Sequence, residues 1–328
     1  MTALTRATAA LYGLTIGDAL GMPTQMMSRA AVAAEFGAIT TFQPAAADHP
    51  IAARMAAGSI TDDTEQAVLL GRHIVAHGAF TANLANGVFV DAAAFAAELV
   101  AWEDDMRARG SLDLLGPSTK AAIEAVLAGT PVDQAGRYGT TNGAAMRVTP
   151  VGIAVPCGSL PALVDRVEEA SRVTHNTGVA IAGAAAVAAA VSAGITGATV
   201  AEAIDVAIAA AAIGRDRGYW VAAADIASRI EWAITLGSET AIYELMGTSL
   251  ASQESVPAAF GLLALHDDPW RAVCAAASLG GDSDTIAAIV GAIAGACGAE
   301  FPSKAVATVR TVNHLDLAPL AVGLLALR

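Results

Sequence analysis

Gly178-Val179-Ala180-Ile181-Ala182-Gly183-Ala184-Ala185-Ala186-Val187-Ala188-Ala189-Ala190-Val191-Ser192-Ala193 is the centre of an uncharged run that reaches from Asn176 to Ala201. Alanine is the strongest helix former, and no alternation of strand-forming residues competes with it here. The run is long enough to cross a bilayer. It lacks the Leu, Ile and Phe content that drives insertion, however, and has no basic residues at both ends to anchor a topology. The expectation is a helix buried inside a globule, whose small side chains let neighbouring backbones come close.

The same period of three to four recurs along most of the chain. Ala67 to His77, Asp91 to Arg107, Thr119 to Ala128, Leu160 to Val173, Val200 to Ile213, Trp270 to Ser278 and Thr285 to Cys297 all read as helices. No repeat of 20 to 50 residues suggests a solenoid. Thr40 to Gly58, with Pro44, Asp48, His49 and Pro50, reads as a surface loop, while Gly110 to Pro117 and Thr130 to Asn142 read as short connectors. The first residues run into Gly17-Asp18-Ala19-Leu20-Gly21 and show no cleavage site of an export signal. The fold expected is a compact all-α bundle forming one domain over residues 1–328.

Composition narrows the partners. The 328 residues are 55% apolar and 15% charged, with mean hydropathy +0.54. Eighteen Lys and Arg against 31 Asp and Glu leave a net charge of −13. Phosphate backbones and anionic membranes are held by clustered Lys and Arg, so neither nucleic acid nor a membrane surface is expected as a partner. Cys157, Cys274 and Cys297 are scattered and odd in number, which points to reduced thiols in a cytoplasm rather than a disulfide framework. The six histidines include no HExxH and no tight His/Cys group, which argues against zinc.

In so apolar a chain, four polar clusters at expected helix starts carry the chemistry. They are Gly17-Asp18-Ala19-Leu20-Gly21, Thr61-Asp62-Asp63-Thr64-Glu65, Thr140-Thr141-Asn142-Gly143-Ala144-Ala145-Met146-Arg147 and Gly280-Gly281-Asp282-Ser283-Asp284-Thr285. Thr61, Asp62 and Asp63 could simply cap a helix, since Thr and Asp favour N-caps and first-turn acids complement the helix dipole. They could equally offer hard oxygen ligands to Mg²⁺ or Mn²⁺. Asp282, Asp284 and Thr285 repeat that chemistry before another apolar helix. Burying both sets of charge would be costly without a counter-charge, and a divalent pair would supply it. An EF-hand is excluded, because Ala287 and Ile293 stand where its Gly and Glu belong. Asn142-Gly143 allows close backbone approach ahead of free amides that suit an anion, though an ordinary Asn-Gly turn explains it too. Gly116-Pro117-Ser118-Thr119-Lys120 is a second such cradle, and His175 lies at a joint between two helices.

Together, in this order and spacing, the clusters resemble the ADP-ribosylglycohydrolase family, which includes the dinitrogenase-reductase activating glycohydrolase, ADP-ribosylarginine and ADP-ribosylserine hydrolases, and J1-type crystallins. The likeness runs from Leu11 to about Gly298. It implies an all-α orthogonal bundle with a dinuclear Mg²⁺ or Mn²⁺ centre in a central cleft. Thr61, Asp62 and Asp63 would form one half of the metal shell and Asp282, Asp284 and Thr285 the other, with Asp18 as a buttress behind them. Ser118, Thr119 and the loop from Thr141 through Asn142 and Gly143 to Met146 fall where the family holds diphosphate and ribose, and His175 falls on the adenosine side. The implied reaction is hydrolysis at the anomeric carbon of ribose, with Asp62, Asp63 and Asp284 as candidates for water activation.

One position departs from the pattern. Where members acting on proteins commonly carry a Glu shortly after Gly-Asp-Ala-Leu-Gly-x-Pro, this chain has Gln25, whose amide can hydrogen-bond a sugar but cannot act as a base or charged ligand. The partner expected is therefore an ADP-ribose-containing or ribosyl small molecule, with ADP-ribosylated protein as the other candidate. A non-catalytic ADP-ribose-binding, crystallin-like role is the alternative class; retention of all six ligand side chains favours catalysis. An all-α isoprenyl-diphosphate enzyme is disfavoured, because Gln66 stands where a second metal-gripping acid is needed and aromatics make up only 5% of the chain.

Overall fold

In a computed structural model of the chain, Gly178–Ile195 is a helix with every residue buried. It is long and apolar enough to cross a membrane, yet all of it is covered by the rest of the protein. Thr177 starts it, accepting a hydrogen bond from the amide of Ala180. Its broadest neighbour is the helix Val200–Gly214. The two backbones lie so close that a Cβ on Gly214 would come within 2.8 Å of the Ala182 Cα.

The structure describes residues 1–81, 88–112 and 115–328, with the backbone alone at 78–81. Among the described residues there are eighteen helices and no strand, only two isolated bridges, Thr141 with Ala251 and Thr177 with Tyr219. They form a single compact domain of the all-α class, and nearly all buried apolar side chains belong to one core.

A second helix pair positions the polar clusters. Ala3–Gly21 packs along Ser283–Ala296, the most extensive helix contact among the described residues. The approach is backbone to backbone and recurs every fourth residue. A Cβ on Gly13 would stand 2.1 Å from the Gly291 carbonyl oxygen, one on Gly17 2.0 Å from that of Ala287, and one on Gly21 2.4 Å from the Asp284 Cα. No side chain fits there, which explains the two glycines of Gly17-Asp18-Ala19-Leu20-Gly21.

That placement corrects the sequence expectation for this cluster. It lies at the end of a helix capped at Thr2, not at a helix start. Other differences are smaller. The helix expected from Ala67 begins five residues earlier, as Asp62–Thr81, because Thr61 starts it. Short or proline-bearing helices such as Ser252–Leu265, with Pro257 inside, carry too weak a period to be read from sequence. Thr130 to Asn142 contains one helical turn, Val132–Ala135. Residues 113 and 114 of the Gly110 to Pro117 connector lie outside the described residues. Thr40 to Gly58 is irregular as expected but is not all surface: Ala45, His49 and Ala52 are buried, and Ala45 and Ala52 pack on Met22.

Candidate active site

The first acidic turn is held from behind. The Thr61 amide and hydroxyl donate to Asp18 at 3.0 and 2.8 Å, the Thr64 amide donates at 3.1 Å, and the Thr64 hydroxyl bonds the same carboxylate. Asp18 thus caps the Asp62–Thr81 helix from another element. Burial pushes its pKa up to about 6, while the Thr64 and Thr61 donors pull it down. Thr61 is the local cap, accepting from the Asp63 amide at 3.4 Å. Asp62 accepts from Gln66 Nε2 at 3.0 Å, and Asp63 Oδ2 accepts from the hydroxyls of Thr61 at 3.4 Å and Thr285 at 3.2 Å.

The second turn depends on Gly280 and Gly281, at φ +73° and +69°, a conformation that L side chains rarely adopt. It is stitched down by the Asp282 amide donating to Thr248 O and the Gly281 amide to Met27 O. Asp282 begins the following helix without capping it; its carboxylate accepts from Asn142 Nδ2 at 2.5 Å.

The two turns meet. The Thr285–Asp63 bond joins residues 222 apart in sequence, and Asp62, Asp63, Asp282, Asp284 and Thr285 line one cleft of about 310 Å³. Gln25, Thr119, Thr141, Asn142, Gly143 and Met146 line the same cleft. Of the remaining expected residues, Thr61 and Asp18 are fully buried behind it. Ser118 lines a neighbouring cavity and accepts from the Thr141 amide at 3.4 Å. His175 is also fully buried, off the cleft surface, with its ring against Gly143.

Sequence reasoning missed several residues. Met26, Ile51, Leu112, Leu115 and Leu250 complete the rim, and nothing marks a lone apolar residue as a rim residue. Gln66, Arg147 and Thr174 form the polar floor; Arg147 was visible as the end of Asn-Gly-Ala-x-Met-Arg, but its burial was not.

The site's electrostatics are one-sided. The Asp63 pKa is held well above the ordinary carboxylate range, first by burial, then by Asp284, Asp62, Asp18 and Asp282. Burial also raises Asp282, against the Asn142 and Thr285 hydrogen bonds. Asp63 Oδ1 is buried without a donor. The buried guanidinium of Arg147 lies behind Asp62; burial lowers its pKa to about 10, with Asp62 opposing.

This bundle with its acid-lined cleft defines a class, and comparison with known proteins supplies the family. A sequence model described as ADP-ribosylglycohydrolase matches residues 1–328. The chain belongs to that family, and with it to the ADP-ribosylglycohydrolase-like hydrolases. It is 34% identical to the uncharacterized protein YegU of Escherichia coli K12 over 96% of this chain and 95% of that one. It is also 34% identical to an uncharacterized Archaeoglobus fulgidus protein, over 90% and 88%. The ADP-ribosyl-[dinitrogen reductase] glycohydrolase of Rhodospirillum rubrum is 29% identical over 52% of this chain and 51% of its own length. A solved structure, an ADP-ribosylglycohydrolase-related protein complex, shares the fold with TM-score 0.72 at 23% identity, covering 99% and 98%.

Proposed function

We propose that the cleft hydrolyses the bond between the anomeric carbon of ribose and its substituent in a soluble ADP-ribosyl or ribosyl conjugate, with two Mg²⁺ or Mn²⁺ ions as cofactors. The observation that carries this is the meeting of Asp62 and Asp63 with Asp282, Asp284 and Thr285 in one cleft that Thr141, Asn142 and Gly143 also line. Caps alone would leave the two turns independent.

The donor set fits hard divalent cations. Asp63 Oδ1 is a buried oxygen with no donor, in a field of acids that already favours a positive charge. Among the described residues, no three acids, histidines or cysteines are gathered tightly enough to hold an ion by themselves. The Thr285 hydroxyl, on the cleft, would complete a donor set with Asp62, Asp63, Asp282 and Asp284, and Thr61, expected as a sixth ligand, lies behind them against Asp18. When bound, such ions polarise ribose hydroxyls and lower the pKa of water.

The chain's own residues do the rest. Asp18, by gripping Thr61 and Thr64, fixes where Asp62 and Asp63 point. Asn142 orients Asp282. Water adds to the anomeric carbon through an oxocarbenium-like transition state as the bond to the leaving group breaks. Its proton passes to a carboxylate among Asp62, Asp63 and Asp284 and on to the leaving atom. Gln25 is buried on the cleft wall with Nε2 unpartnered, a neutral group suited to hydrogen-bonding a small ligand.

The test is a turnover screen of ADP-ribosyl-arginine, ADP-ribosyl-serine, simple ribosides and nucleosides, each with Mg²⁺ and Mn²⁺. Hydrolysis of at least one conjugate is expected, and Asp284→Ala should abolish it with helix content retained. No turnover of any conjugate, or full activity of the variant, would overturn the assignment.

A further inference from the structure

A chain of buried hydrogen bonds runs beneath the cleft and links two of its lining residues, Asp62 and Thr141. At one end Gln66 Nε2 donates to Asp62 Oδ2 at 3.0 Å. The Gln66 carbonyl accepts from Arg147 at 3.2 Å, and the other Arg147 terminal nitrogen donates to the Thr174 hydroxyl at 2.5 Å. Thr174 Oγ1 is 2.7 Å from His175 Nδ1, and His175 Nε2 is 2.9 Å from Thr141 Oγ1, which is on the cleft wall. Gln66, Arg147, Thr174 and His175 are all at most 1% exposed.

Proton accounting fixes the direction of each link. A guanidinium only donates, so the oxygens of Gln66 and Thr174 that face Arg147 must accept. With its oxygen facing Arg147, the Gln66 amide presents its NH₂ to Asp62. Thr174 has one hydrogen to give, and His175 Nδ1 is its remaining neighbour, so Nδ1 accepts and carries no proton. The proton of neutral His175 is then on Nε2 and is donated to Thr141. Burial and the nearby Arg147 charge, which hold the His175 pKa well below its usual value, agree with a neutral ring. Thr141, accepting from the ring, keeps its own hydrogen for the cleft.

We infer that Arg147 is a positioning residue that polarises this chain in both directions, so that the Thr141 hydroxyl is a committed hydrogen-bond donor to an acceptor oxygen of the substrate, such as a phosphate oxygen. The inference rests on the ribosyl-hydrolase reading for the ligand, but not for the protonation pattern. Gly143 belongs to the device, since a Cβ there would stand 2.8 Å from His175 Cε1 and 3.0 Å from Nε2, displacing the ring.

The test has two arms. In ¹⁵N-histidine-labelled protein without ligand, His175, assigned by its absence from His175→Gln, should show protonated Nε2 and bare Nδ1. An Nδ1-protonated ring would overturn the inference. In Arg147→Met that signature should become a mixture of tautomers, and an unchanged pure Nε2–H ring would remove Arg147 from the argument. The second arm is ADP-ribose binding by calorimetry in magnesium chloride. Thr141→Ser should bind within about 2-fold of wild type and Thr141→Val about 10- to 100-fold more weakly, the loss of one hydrogen bond to a charged acceptor. Equal binding by Thr141→Val would overturn the donor role. Failure of wild type to bind ADP-ribose would instead count against the ribosyl reading, leaving the tautomer arm to decide the polarity.

Discussion

His175 shows how much a single residue's surroundings decide about its chemistry. A histidine between two helices would ordinarily titrate near pH 6.5. Enclosed here by Thr174, Thr141, Gly143 and the Arg147 charge, it has a folded-state pKa held well below that value, first by burial and then by Arg147. The sign of the linkage follows. In the unfolded chain the ring takes up its proton as pH drops through about 6.5, while in the folded chain it does not, so acid favours unfolding. The stabilisation from the neutral ring is complete above pH 6.5 and falls below it by up to about 1.4 kcal/mol per pH unit. Denaturant midpoints of wild type and His175→Gln between pH 7.5 and 5 isolate this one group, because the buried acids are common to both proteins. Wild type should be the more stable at pH 7.5, and its advantage should shrink toward pH 5. A constant gap would mean that the buried ring titrates normally.

At the scale of elements, the contact between Ala3–Gly21 and Ser283–Ala296 places the chemistry. Gly17 and Gly21 are not there for flexibility; they remove the side chains that would hold the helices apart, and Gly21 sits directly against Asp284. Gly17→Ala would put a methyl carbon 2.0 Å from a backbone oxygen, so the helices must separate. Overpacking of this kind costs about 1–3 kcal/mol, occasionally more. Gly158→Ala, which meets nothing within 4 Å, should change stability by less than about 0.5 kcal/mol. Thermal melts of the two variants, with ADP-ribose affinity as the second readout, check this. Gly17→Ala should lose both stability and affinity, and parity with Gly158→Ala would refute the close-contact account. The same helix pair marks what a sequence reading can reach. The Ala-rich run at Gly178–Ile195 announces its helix by composition. Ala3–Gly21 does not, because it is buried along most of its length and has no polar face to set a period. Gly17-Asp18-Ala19-Leu20-Gly21 was visible as a motif, but its role as a contact surface depends on a partner helix some 270 residues away.

For the molecule as a whole, the legible part of the site was its list of oxygen donors and the illegible part its layering. Asp62 and Asp284 stand on the cleft, whereas Asp18, Thr61 and His175, equally prominent in the motifs, stand behind it as supports. Spacing along the chain cannot separate these roles, because depth is set by which helices pack on which. The depth has an energetic consequence. Five aspartates from opposite ends of the chain are packed around one cleft in a protein of net charge −13, so the folded state carries repulsion that the unfolded chain relieves. A divalent cation held by the two turns would bind only the folded chain, in which the turns meet. By mass action, cation at 100 times its dissociation constant adds about 2.7 kcal/mol, roughly 5 °C in a domain of this size. Melts after EDTA treatment, repeated with MgCl₂ and MnCl₂ and with NaCl at matched ionic strength, separate specific binding from charge screening. The shift should occur with the divalent salts, be small with NaCl, and vanish in Asp284→Ala. A shift of equal size with NaCl, or one that survives in Asp284→Ala, would mean that the clustered acids are merely screened by salt and that no cation is seated between the two turns.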